Sequence, residues 1–105
     1  MINIVHVDIH FDDQRKMTAI EIKVKSVSKE DMLSGHPLVS TTSAAFYETT
    51  LLADVGEHLE TAINPNRNNV VNLKVVLKDN NDLTYEDVGN FLNSFQSALD
   101  QTSLF

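Results

Sequence analysis

The residues best placed to do chemistry lie in two short stretches. In the first, Gly35, His36 and Pro37 lead through Leu38 and Val39 into the hydroxyl cluster Ser40, Thr41, Thr42 and Ser43. The apolar spacing beyond this cluster predicts a helix, which puts the hydroxyls at its N-terminus. Free backbone N–H groups and the positive end of the helix dipole suit an anion or a nucleophile at such a place. His36 and Ser40 are therefore the candidate base and nucleophile of a hydrolase, with Glu30 and Asp31 the nearest acids along the chain. Gly35, His36, Ser40, Thr41 and Thr42 are the candidate binding residues. The plainer reading of the same hydroxyls is helix capping.

The second stretch is His6, Asp8, His10 and Asp12, which alternate along one face of a strand. Imidazole and carboxylate suit zinc or manganese, so His6, Asp8 and His10 are the candidate metal ligands. Successive same-face side chains of a strand lie ~7 Å apart, wider than neighbouring ligands of one ion. A turn or a second strand would have to complete such a site, and the plainer reading is a polar face turned to solvent. No phosphate-loop, dinucleotide-loop or H-E-x-x-H motif occurs, and no cofactor is expected.

The elements that must position these groups read clearly in most of the chain. Residues 3–11 alternate, with Val5, Val7, Ile9 and Phe11 expected inward. Asp12 to Lys16 suits a turn, and a second strand follows over 17–26. There Ile20, Ile22 and Val24 face in while Glu21, Lys23 and Lys25 face out, which makes the pair an antiparallel hairpin. Residues 27–39 are expected as a loop. Ala44, Tyr47, Leu51, Leu52, Val55, Leu59, Ala62 and Ile63 form one stripe at helical spacing, predicting a helix from Thr41 to Ile63 that Pro65 ends. A third strand is expected over 70–78. A last helix spans about Tyr85–Gln101, with Thr84 as its N-cap and Glu86 and Asp87 in its first turn. The predicted fold is an α+β two-layer sandwich: a small antiparallel or mixed sheet, order β-β-α-β-α, with both helices on one face.

Composition bounds the function. The 105 residues fit a single domain, and 42% hydrophobic content is ordinary for a packed core. A net charge of −7 speaks against nucleic acid, which needs clustered cations on phosphate. With no cysteine, disulfides, thiolate metal sites and thiol nucleophiles are excluded. No basic leader and no apolar run long enough to cross a bilayer is visible, so a cytoplasmic protein without membrane attachment is expected. Charge also sorts by element: both predicted helices carry acids only, and Lys23, Lys25, Lys74 and Lys78 lie on strands. Ile2, Ile4, Val70 and Val76 share the outward parity of the polar strand residues. An apolar patch on the open sheet face suggests a homodimer through that face or an edge strand.

The segment from Gly35 to Ala45, set after a hairpin and before a strand and a final helix, resembles the ribosomal-processing cysteine protease Prp family. The run Asn90 to Leu99 is similar to the family's last helix. The resemblance covers nearly the whole chain in order and length. It implies homodimerisation and peptide binding in the groove of loop 27–43. The family's nucleophilic cysteine position reads Ser40 here, its Gly-His position falls near Val27-Ser28 without a histidine, and Pro37 stands where the family has aspartate. A hydroxyl without its base is a poor nucleophile, so the resemblance implies a degenerate, non-catalytic member. The chain is thus expected to be a binding module for a protein or peptide partner and for itself. A hydrolase using Ser40 with His36, and a structural subunit of a larger assembly, are the alternatives.

Overall fold

The alternating first segment and its partner fold as the expected hairpin, β1 (Ile2–Phe11) and β2 (Met17–Ser26). The computed structural model describes residues 2–26, 35–49, 54–64 and 67–102. The hairpin is followed by α1 (Gly35–Tyr47), β3 (Gly56–Asn64), β4 (Arg67–Leu77) and α2 (Tyr85–Thr102). The strands pair antiparallel in the order β1-β2-β4-β3, and both helices pack on one face of this sheet. The α+β two-layer class is as predicted, but the sheet has four strands instead of three.

The added strand replaces half of the predicted Thr41–Ile63 helix. Leu59 and Ile63 are four residues apart, a spacing that satisfies a helix turn and a strand face equally. Pairing decides between the two: Leu59, Thr61 and Ile63 stand opposite Val75, Leu73 and Val71 of β4. Glu57 and Glu60 consequently belong to a strand, not to an acidic helix. Leu51, Leu52 and Pro65 lie outside the described residues, and Tyr47, expected in the stripe, is exposed.

The other end of α1 also moves. The helix starts at Gly35, six residues before the predicted Thr41. Pro37 falls in the first turn, where a missing N–H breaks no helical bond and the fixed φ suits the helix. Leu38, Thr42, Ala45 and Phe46 then form its buried face, at spacings of four, three and one.

Two register shifts between β1 and β2 change which side chains face the core. Between Ile4 and His6 the register shifts by one residue, and Val5 is the extra one. Ile2 and Ile4, predicted outward, therefore join the core opposite Ser26 and Val24, while Val5 is 55% exposed. A second shift between His10 and Phe11 sets Phe11 opposite the core residue Met17, on the helix side but at the sheet margin, where it is 44% exposed. The predicted apolar patch on the open face reduces to Val70, itself buried, and half-buried Val76.

Between the layers sit Ile20, Ile22, Val24, Val71, Leu73 and Val75 from the sheet, fully buried beneath Phe46, Phe95 and Leu99. Phe46 meets Phe91 and Phe95 edge-on, at ring-centre distances of 5.4 and 5.6 Å. The α2 N-terminus is capped as predicted. The Asp87 N–H donates to Thr84 Oγ1 at 3.2 Å and the Thr84 N–H to Asp87 Oδ2 at 3.0 Å, a reciprocal box. Further along α2, Gln96 reaches the outer border of β1. Its Oε1 accepts from the Ile4 N–H at 2.9 Å and its Nε2 donates to the Ile2 carbonyl at 3.0 Å. Asn81 ties the turn after β4 to the sheet: Nδ2 donates to the Met17 and Lys78 carbonyls, and Oδ1 accepts from the Leu83 N–H. No helix among the described residues is long and apolar enough to cross a membrane.

Candidate functional site

The hydroxyl cluster singled out by the sequence lies inside α1 and not at its N-terminus. In a helix interior the backbone N–H groups are already bonded one turn back, so Thr41, Thr42 and Ser43 cannot offer them to an anion. The four side chains also part company. Ser40 is exposed, Thr41 and Ser43 are half-buried, and Thr42 is fully buried. Thr42 is thereby removed from any surface that meets a ligand. Positions 36 and 40 stand one turn apart on the same helix face. Glu30 and Asp31 lie outside the described residues.

Thr42 carries a cost of its own. Its Oγ1 is shielded from water and has no hydrogen-bond partner among the described residues. An unpaired buried hydroxyl forfeits its hydration without recompense. Thr42→Val, which keeps the branched shape and removes the hydroxyl, is expected to stabilise the fold by roughly 1 kcal/mol, read as a rise in the urea midpoint at unchanged m-value.

The second predicted group is partly assembled, with one substitution of members. On the sheet face away from the helices, Asp8 stands directly opposite Glu21, and His10 opposite Ala19. Ala19 presents only a methyl group, which leaves the imidazole room to lean diagonally toward Glu21. His10 Nε2 lies 3.4 Å from Glu21 Oε2 and 3.8 Å from Asp8 Oδ2. One donor atom from each of the three residues falls within 4.8 Å of the others. His6 is not among them; the shifted register sets it opposite Lys23. Glu21 is the member of this cluster that sequence spacing missed: it reads as an outward residue of the second strand, but its partner across the hairpin depends on the bulge.

A third feature was invisible in the sequence. The β1–β2 turn is held by Asp12, whose Oδ1 accepts from the Gln14 and Lys16 N–H groups at 2.9 Å each, while Arg15 adopts a left-handed φ of 63°. This turn faces the start of α2. Phe11 and Tyr85 come within 6.2 Å, ring centre to ring centre, and are 44% and 69% exposed. With Arg15, Lys16, Met17 and Leu83 they line a groove of about 750 Å³. Phe11 lies on the helix side of the sheet, opposite the core residue Met17, but at the margin of the core, where Tyr85 covers only part of its ring. No protein-family model, curated protein or solved structure matches the chain.

Proposed function

We propose that this chain is a non-catalytic binding module on a Prp-like scaffold, which takes an extended peptide segment of a protein partner and associates with a second copy of itself. The observation that carries the reading is the exposed Phe11–Tyr85 pair beside Arg15 in the groove between the first turn and α2. Aromatic rings and arginine are the side chains that anchor most binding hot spots. Arg15 and Lys16 supply positive charge at the groove of a chain whose net charge is −7. The complementary peptide has an apolar side chain for the rings and a carboxylate for Arg15. Of loop 27–43, the surface suggested by the sequence, residues 35–43 are helix, and exposed Ser40 belongs to the same proposal as a secondary contact.

Peptides selected from a random library against the wild-type protein provide the test. Tyr85→Ala is expected to weaken the best of them about 30-fold, the equivalent of ~2 kcal/mol for a hot-spot ring, with an unchanged far-UV spectrum because Tyr85 is 69% exposed. Affinities indifferent to both Tyr85→Ala and Phe11→Ala overturn the assignment. A monomer mass by light scattering at micromolar concentration removes the self-association. The rival reading, hydrolysis by Ser40 with His36 as base, draws on their one-turn spacing. Fluorophosphonate labelling of Ser40 that disappears in His36→Ala would replace the binding module with that enzyme.

A further inference from the structure

We propose that Asp8, His10 and Glu21 form a zinc-type divalent metal site that bridges β1 and β2 on the open face of the sheet. Three features converge on it. First, the donor set is mixed, one imidazole and two carboxylates, which suits borderline transition metals. Two carboxylates and a neutral imidazole also balance the charge of a divalent ion.

Second, the spacing matches a coordination polyhedron. Bonds of about 2.0–2.1 Å around tetrahedral zinc separate neighbouring ligand atoms by about 3.4 Å. Nε2 of His10 stands 3.4 Å from Glu21 Oε2 and 3.8 Å from Asp8 Oδ2. The third edge, between the two carboxylates, is within 4.8 Å, and the Asp8 side chain that must rotate to shorten it is 57% exposed. Charge-assisted hydrogen bonds run shorter, about 2.7–2.9 Å. His10 Nε2 is close to two acids but outside hydrogen-bond geometry with both, and it is shielded from water. His58 shows the contrast, making an ordinary hydrogen bond to Glu60 at 3.2 Å with no third donor beside it among the described residues.

Third, the register itself asks for a cation. Asp8 and Glu21 face each other directly across an antiparallel pair, an arrangement of like charges that destabilises a hairpin when nothing lies between them. Lys74 stands opposite Glu21 on its other side, in β4, and Glu60 beyond it faces Lys74 from β3. Lys23 faces His6. No cation of the sheet stands in register with Asp8. Three protein ligands leave a fourth position open to solvent water.

Zinc sulfate titrated calorimetrically into the metal-free, full-length protein at neutral pH is the experiment. One equivalent is expected to bind, and His10→Ala and Glu21→Gln are each expected to weaken it at least tenfold. His58→Ala and His6→Ala are expected to leave it unchanged. Magnesium at the same concentration is expected to give no heat, because a hard cation gains nothing from imidazole. Nitrogen NMR of the wild type supplies a readout free of any folding defect in the variants: one histidine ring, lost in His10→Ala, shifts on zinc addition. The proposal fails if zinc gives no heat, if binding survives both substitutions, if His58→Ala weakens it equally, or if magnesium competes as well as zinc.

Discussion

Replacing Phe46 by alanine is expected to remove about 3–5 kcal/mol of folding free energy, the range for a fully buried aromatic side chain. Phe46 has no exposed surface, and it is the ring on which the others converge. Phe91 and Phe95 of α2 meet it edge-on from one side, and Tyr47 does so from the next position of its own helix, at 6.1 Å. Truncation leaves three rings without their common partner and a void that close-packed neighbours fill only in part. The domain as a whole has about 5–15 kcal/mol to lose, so the variant should show a much lower urea midpoint at unchanged m-value. Phe46→Leu, which refills most of the space, should lose distinctly less. Equal midpoints for wild type and Phe46→Ala would mean that α1 is not docked on α2 through this ring.

Asn81→Ala comes next in size, at about 2–3 kcal/mol, with a melting temperature lowered by roughly 10–20 °C for a domain of this length. The residue is 8% exposed and its amide serves three backbone groups at once. Its Nδ2 donates to Lys78 at 2.7 Å and, across the sequence, to Met17 at 3.1 Å, which fastens the start of β2 to the turn before α2. Alanine abandons two carbonyls and one N–H in places where water reaches poorly, and this loss, more than the bonds themselves, sets the magnitude. Thermal unfolding followed by circular dichroism measures it. An unshifted transition would show that solvent replaces the amide without penalty.

The parts of this fold that could be read from sequence are those whose signals are local. The alternation of β2, the stripe Val88–Phe91–Phe95–Leu99 and the Thr84 cap each announce themselves within a few residues. Misreadings arose where a distant partner decides. Leu59 and Ile63 fit either periodicity, and only β4 makes them a strand. Val5 is one surplus residue in an otherwise regular strand; nothing nearby marks it, yet it exchanges Ile4 for Val5 in the core. The Asp8–His10–Glu21 cluster was half legible for the same reason. Asp8 and His10 alternate on a strand and were visible, whereas the arrival of Glu21 and the departure of His6 follow from the register across the hairpin. Pro37 concealed the start of α1, because proline in a first turn resembles proline in a loop until the following residues are seen to be buried.

The carboxamide of Gln96 has a meaning for how this chain meets other chains. A donor to the Ile2 carbonyl and an acceptor from the Ile4 N–H are what the peptide unit of a parallel neighbour would present opposite Asn3. One side chain thus impersonates a fifth strand at the border where the ribbon would otherwise be open. A segment seeking to pair with the backbone at Ile2 and Ile4 finds both of these groups already taken. The other border of the sheet runs along Gly56–Asn64.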